Sequence, residues 1–125
     1  MKIIFFGNSK YSIIVAQELL NAYGLSSIVT IPDRPIGRKK VLTQSPVKQF
    51  AVGHNVLSLE FDKLDESAIA KISQHHPDFL VVADYGLILP QRLLTVPKYA
   101  ALNIHHSLLP KYRGPSPAPT AILNG

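Results

Sequence analysis

Asn103 and His105, an asparagine and a histidine two residues apart, are the side chains of this sequence best suited to chemistry. They lie in Ala101-Leu102-Asn103-Ile104-His105, which has the composition of a strand. In a strand, residues i and i+2 project to the same side, so amide and imidazole point together with Ile104 opposite. An imidazole moves protons near neutral pH, and an amide N–H stabilises a developing oxyanion. Such a pair suits acyl-group chemistry. A hydrogen-bonded pair that merely closes a strand end is the alternative reading of the same two residues.

The elements that must position this pair follow from the apolar pattern. Residues 2–7 are continuously apolar after Lys2 and predict a strand buried on both faces. Asn8 or Ser9 caps a helix whose face carries Ala16, Leu19, Leu20 and Tyr23, and Gly24 ends it. Residues 26–31 predict a second strand, and Pro32 to Gln44, with no apolar period, a loop. Ser45-Pro46 starts a short helix ending near Gly53. A third strand is expected at 55–59, a helix at 64–75, a fourth strand at 79–82, a short helix at 90–94 and a fifth strand at 101–105. The end, from about Pro117, is expected to be helical. Strands alternating with helices predict an α/β, doubly wound, mostly parallel sheet. Ligands then bind outside the carboxyl ends of the strands. The segments there are Asn8 to Tyr11, Asp84 to Pro90 and Asn103 to Gly114, which predicts one site.

The composition narrows the function classes. The chain has 125 residues, enough for one domain, with 46% hydrophobic and 17% charged residues, a globular balance. It has no cysteine, so thiolate and disulfide chemistry are excluded. Met1 to Gly7 is too short for a signal peptide, and no stretch approaches a membrane span. A cytoplasmic protein without membrane contact is expected. The net charge of +5 favours anionic partners. Arg34, Arg38, Lys39, Lys40 and Lys48 crowd into one segment, opposed there only by Asp33. The pairs His75-His76 and His105-His106 match no zinc spacing, so no metal is expected.

The run Asn103-Ile104-His105-His106-Ser107-Leu108-Leu109-Pro110, with Gly114 after it, resembles the Asn-x-His-x-Ser-Leu-Leu-Pro motif of the 10-formyltetrahydrofolate-dependent formyltransferase family. Ala83-Asp84-Tyr85-Gly86-Leu87-Ile88-Leu89-Pro90 resembles a segment of the family's methionyl-tRNA branch, which typically has Ala directly before Tyr. Pro32-Asp33-Arg34-Pro35 and Gly37-Arg38, followed by Ser45-Pro46-Val47-Lys48, resemble that branch's inserted loop. Three motifs in order span nearly the whole chain. Besides the interrupting Asp84, two further sites depart from the pattern: Asn8-Ser9 stands where Gly7 is commonly followed by Thr-Pro, and His106 where a small residue is usual.

The resemblance implies a Rossmann-like catalytic domain of which this chain is the amino-terminal part. It implies formyl transfer from 10-formyltetrahydrofolate to the amine of initiator methionyl-tRNA, with Asn103 and His105 catalytic. Ser107, Leu108, Leu109 and Pro110 would line the folate site, and the backbone of Gly86, Leu87, Ile88 and Leu89 would meet the pterin ring. Arg34, Arg38, Lys39 and Lys40 would contact tRNA, with Arg38 central. The family also uses an aspartate beyond the histidine, which this chain does not reach; Asp84 is the nearest acidic substitute, or else a solvated loop residue. The isolated chain is therefore expected to be inactive, with an apolar face or edge uncovered. The competing readings are a formyltransferase for a nucleotide-linked amino sugar and an inactive fragment that retains folate or tRNA binding.

Overall fold

The computed structural model describes residues 1–105 and the backbone of residues 120–122. Strand β1 (Ile3–Phe6) is buried at every position, as a strand covered on both faces must be. Gly7 follows because the turn has no room for a side chain. A Cβ there would lie 2.6 Å from Ser12 Cβ and 2.8 Å from Phe5 Cε2. Helix α1 (Lys10–Ala22) opens on a reciprocal cap, with Ser9 Oγ accepting from the Ser12 N–H and Ser12 Oγ accepting from the Ser9 N–H. It closes on Gly24, whose N–H reaches the Leu19 and Leu20 carbonyls. Strand β2 (Ser27–Thr30) is again wholly buried.

Residues 32–44, expected as a loop, instead form an exposed antiparallel hairpin of β3 (Arg34–Ile36) and β4 (Val41–Thr43). No burial alternation marks these strands, and Pro35 sits inside one of them. The turn shapes the hairpin: Gly37 and Lys40 both take positive φ, and the Lys40 N–H donates to Gly37 O at 3.1 Å. Helix α2 (Pro46–Gly53) starts as its sequence predicts, with Ser45 Oγ accepting from the Lys48 N–H. Strand β5 is shorter than expected, Ser58–Glu60, because Asn55 at φ +56° prolongs the turn after α2. Helix α3 (Glu66–Ser73), strand β6 (Phe79–Val82), helix α4 (Gln91–Leu94) and strand β7 (Ala100–Ile104) follow near their expected positions. Residues 120–122 form strand β8 (Thr120–Ile122) where a helix was expected. Pairing with β7 overrides the weak helical signal there, and residues 117–119 lie outside the described set.

The main sheet runs β5-β2-β1-β6-β7-β8, with the first five strands parallel and β8 antiparallel at the edge. Ile3, Phe5 and Val81 pack against Ala16 of α1 and Val47, Phe50 and Ala51 of α2. On the other face, Ile4, Phe6, Leu80 and Val82 meet Ile72 of α3 and Leu93 and Leu94 of α4. This is the doubly wound arrangement. The strand order reverses between β1 and β6, which opens a crevice at their carboxyl ends. The β7 edge, expected to be bare, is covered by β8. An apolar groove of about 210 Å³ stays open on the α1 face, between Leu19, Tyr23, Phe79 and Leu102.

Candidate active site

A cavity of about 520 Å³ lies at the carboxyl ends of β6 and β7. Val82, Tyr85, Leu87, Ile88, Leu89 and Leu94 form its apolar wall, and Asp84, Asn103 and His105 supply its polar groups. The two sides come from the 84–90 segment and from β7, as the topological switch requires. An apolar slot with a few convergent polar groups is the usual form of a small-molecule site.

Asn103 pairs with Val82 in the β6–β7 ladder, at the last rung before both strands end. Strand alternation puts it on the α3–α4 face with Ala101, and His105 follows on the same side. Ile104 faces the other way and packs on the α1–α2 core. Asn103 Nδ2 lies 3.5 Å from His105 Nε2, a long contact in which the amide donates to the ring. A neutral ring whose Nε2 accepts from the amide would carry its hydrogen on Nδ1. The pair offers an amide donor and a proton acceptor side by side, facing one cavity.

The 84–90 wall is anchored from below. Ser12, fully buried, donates to Ala83 O at 2.6 Å and accepts from the Asn8 and Ser9 N–H groups. The Asn8 N–H also donates to Asp84 O at 3.1 Å. Asp84 itself is exposed and takes φ +57°, a conformation that Asp tolerates better than most residues. Its neighbour Tyr85 turns inward, with its ring edge-on to Phe6 at 5.4 Å. The Tyr85 hydroxyl is buried without a hydrogen-bond partner among the described residues, and desolvation pushes the phenol up to about 12. A second network starts at Asn8 Oδ1, which accepts from Thr30 Oγ1 at 3.1 Å and from the Ile31 N–H at 3.2 Å. Thr30 gives its only hydrogen to Asn8, so Ser45 donates in the 2.7 Å Thr30–Ser45 contact. The β1, β2 and α2 ends are thus joined by one directed chain of hydrogen bonds.

The model of the formyl transferase family matches residues 1–125. The chain belongs to that family. Methionyl-tRNA formyltransferase of Enterococcus faecalis is 44% identical over 126 residues, which is 99% of this chain and 40% of its own length. The same enzyme of Clostridium tetani is 42% identical over 127 residues, 100% of this chain and 41% of its own. That of Levilactobacillus brevis is 46% identical over 125 residues, 98% of this chain and 40% of its own. The chain thus spans about 40% of the length of the curated relatives it matches. Among solved structures, phosphoribosylglycinamide formyltransferase from Anaplasma phagocytophilum matches with TM-score 0.61 and 18% identity, over 91% of this chain and 53% of that one. A sugar 3N-formyltransferase solved with dTDP and 5-N-formyl-THF matches with TM-score 0.50 and 16% identity, over 88% of this chain and 36% of that one. At these identities the structural likeness shows a shared fold.

Of the positions that the formyltransferase motifs single out, Leu87, Ile88, Leu89, Asn103 and His105 meet at the cavity. Ile88 is 92% exposed at its lip, an unusual state for a large apolar residue. Gly86 does not line the cavity; a Cβ there would come within 3.3 Å of the Asn8 amide nitrogen. His106, Ser107, Leu108, Leu109, Pro110 and Gly114 lie outside the described residues. Asn8 to Tyr11 does not line the cavity and instead supports its wall. Asp84 lines the cavity, but among the described residues it makes no side-chain hydrogen bond to His105, so it does not fill the place of an orienting carboxylate. No group of three or more His, Asp or Glu among the described residues could hold a metal ion. No helix among them is long and apolar enough to cross a membrane.

Arg34, Arg38, Lys39 and Lys40 are all exposed on the hairpin. Lys48, grouped with them by sequence, is not part of that surface. Its ammonium lies 3.0 Å from both Asp33 Oδ1 and Glu60 Oε2. Hydrogen bonds to Glu60 and Asp33 hold it above the ordinary lysine value. The hairpin also exposes Ile36, Val41 and Leu42.

Proposed function

We propose that the full-length protein transfers a formyl group from 10-formyltetrahydrofolate to the amine of initiator methionyl-tRNA, with residues 1–125 as the amino-terminal part of its catalytic domain. The reading is carried by the Asn103–His105 pair at the mouth of an apolar cleft. Its choice of acceptor is supported by the relatives named methionyl-tRNA formyltransferase, which are 42–46% identical over nearly all of this chain. The exposed basic hairpin supports the same acceptor, since clustered Arg and Lys suit a phosphate backbone.

The residues present fit such a donor. The wall of Val82, Tyr85, Leu87, Leu89 and Leu94 suits a flat ring; the motif resemblance adds Ser107, Leu108, Leu109, Pro110 and the Gly86–Leu89 backbone as proposed contacts. The donor supplies the formyl carbon. Amine attack on that carbon builds negative charge on its oxygen and leaves one proton too many on the nitrogen. Asn103 Nδ2 is the donor for that oxygen. His105 Nε2 accepts the proton and returns it to the leaving nitrogen as the new N–C bond replaces the old one. Arg34, Arg38, Lys39 and Lys40 hold the tRNA backbone, and a cytoplasmic setting follows from this acceptor.

The test is formylation by the full-length protein of charged initiator tRNA and, in parallel, of a nucleotide-linked amino sugar, with product detected by mass. Formylmethionyl-tRNA alone is expected. Formylated sugar without formylated tRNA would replace the acceptor, and no product from folded protein would sink the reading.

A further inference from the structure

Lys48 sits where three elements meet at the root of the hairpin. It belongs to α2, Asp33 immediately precedes β3, and Glu60 ends the edge strand β5. The three side chains are only 19%, 27% and 26% exposed. The other leg of the hairpin is pinned within the same turn of α2: Ser45, 7% exposed, bonds Thr30 and caps the Lys48 N–H at 3.0 Å. Beyond this root, among the described residues, β3 and β4 pair only with each other and join no larger sheet. No strand ladder of those residues fixes the direction of the hairpin, and its base is where they hold it. One ammonium between two carboxylates also carries no net positive charge to offer a phosphate.

We propose that Lys48 is a positioning residue: its double ion pair with Asp33 and Glu60 clamps the hairpin root so that Arg34, Arg38, Lys39 and Lys40 meet RNA in one orientation, while Lys48 itself makes no RNA contact. The inference rests on the tRNA reading given above. Holding the hairpin in its bound orientation raises affinity by lowering the ordering cost of association. Removing the ammonium also leaves Asp33 and Glu60 facing each other as like charges, which turns an attractive root into a repulsive one.

The test uses the full-length protein with Lys48→Met, Lys48→Arg and, should Lys48→Met fold poorly, Glu60→Gln. Hydrogen exchange of residues 34–43 reads the clamp without RNA. Initiator tRNA affinity across a salt series reads its consequence. For Lys48→Met, faster exchange is expected in the hairpin but not in β1 or β6, with binding weaker by about tenfold. The slope of log affinity against log salt should stay unchanged, since no phosphate contact is lost, whereas Arg38→Ala should lower that slope by about 0.9. Lys48→Arg should restore binding, and Glu60→Gln should fall between. Unchanged hairpin exchange overturns the clamp alone. A slope lowered by about 0.9 in Lys48→Met makes Lys48 an RNA contact and also overturns it. Wild-type protein that shows no salt-sensitive tRNA binding overturns the tRNA reading, and this inference with it.

Discussion

Ser12→Ala removes the hydroxyl that joins the β1 turn to the end of β6. The hydroxyl is fully buried and has three close partners: Ala83 O at 2.6 Å, the Ser9 N–H at 3.1 Å and the Asn8 N–H at 3.2 Å. The Asn8 N–H keeps a second partner in Asp84 O at 3.1 Å, so two groups are left bare, the Ser9 N–H and the Ala83 carbonyl. Each such loss costs about 1–1.5 kcal/mol. The higher helix propensity of alanine returns up to about 0.5 kcal/mol. The net cost is about 2 kcal/mol, or roughly a thirtyfold rise in the opening equilibrium. Native-state hydrogen exchange of the slowest β1 and β6 amides measures it without assuming that the whole protein unfolds in one step. A rise of less than about threefold would refute the claim that Ser12 anchors the cleft wall.

Gly7→Ala places a Cβ 2.6 Å from Ser12 Cβ and 2.8 Å from Phe5 Cε2, both immobile in the core, and should cost about 2 kcal/mol. Combined with Ser12→Gly, the loss should be smaller than the sum of the two single losses, because the Ser12 clash is relieved while the Phe5 clash remains; a double-mutant cycle on unfolding measures that coupling. Asn103→Ala should lower kcat for formylation by about 100- to 1000-fold with little change in donor binding, as read by single-turnover kinetics. Tyr85→Phe deletes a buried hydroxyl with no partner among the described residues and should raise stability by about 1 kcal/mol at neutral pH. Because burial raises the Tyr85 phenol to about 12 in the folded state, its ionisation leaves stability untouched below the ordinary value of 10.0 and lowers it as pH rises from there through about 12. Wild type should therefore lose stability relative to Tyr85→Phe over that window, and the mutant should lack a phenolate absorbance step near 12.

The buried parallel strands were legible because burial on both faces leaves an unbroken apolar run, as in Ile3–Phe6 and Phe79–Val82. The two-residue spacing of Asn103 and His105 carried the face argument, and Ile104 packs on the opposite side as that argument requires. The hairpin was not legible. Its strands bury no face, and its direction depends on positive φ at Lys40, which no residue preference announces. Ser12 was missed because the usual capping signal is an acid or amide at the third helical position, and a serine there looks like filler. Thr30 was missed for a related reason: it ends an apolar strand and behaves as a hydrophobic residue until Asn8 and Ser45 are brought to it. Tyr85 reads as part of a segment motif, and only the structure shows that its hydroxyl is buried without a partner among the described residues.

Lys48 shows why a charge count along the chain misplaces an electrostatic surface. Between 33 and 48 the sequence has five cations and Asp33 as the single anion, so every cation looks available to a partner. Folding brings in Glu60 from a strand outside that window and places both carboxylates on one ammonium. The segment then separates into a half-buried cluster of Lys48, Asp33 and Glu60 with a net negative charge and an exposed hairpin that carries Arg34 at its base and Arg38, Lys39 and Lys40 at its turn. The positive field is therefore strongest at the turn, where Arg38, Lys39 and Lys40 lie together away from the two carboxylates. That polarity follows from a contact between residues twelve apart in sequence, which only the β2–β5 pairing and the packing of α2 against them could create.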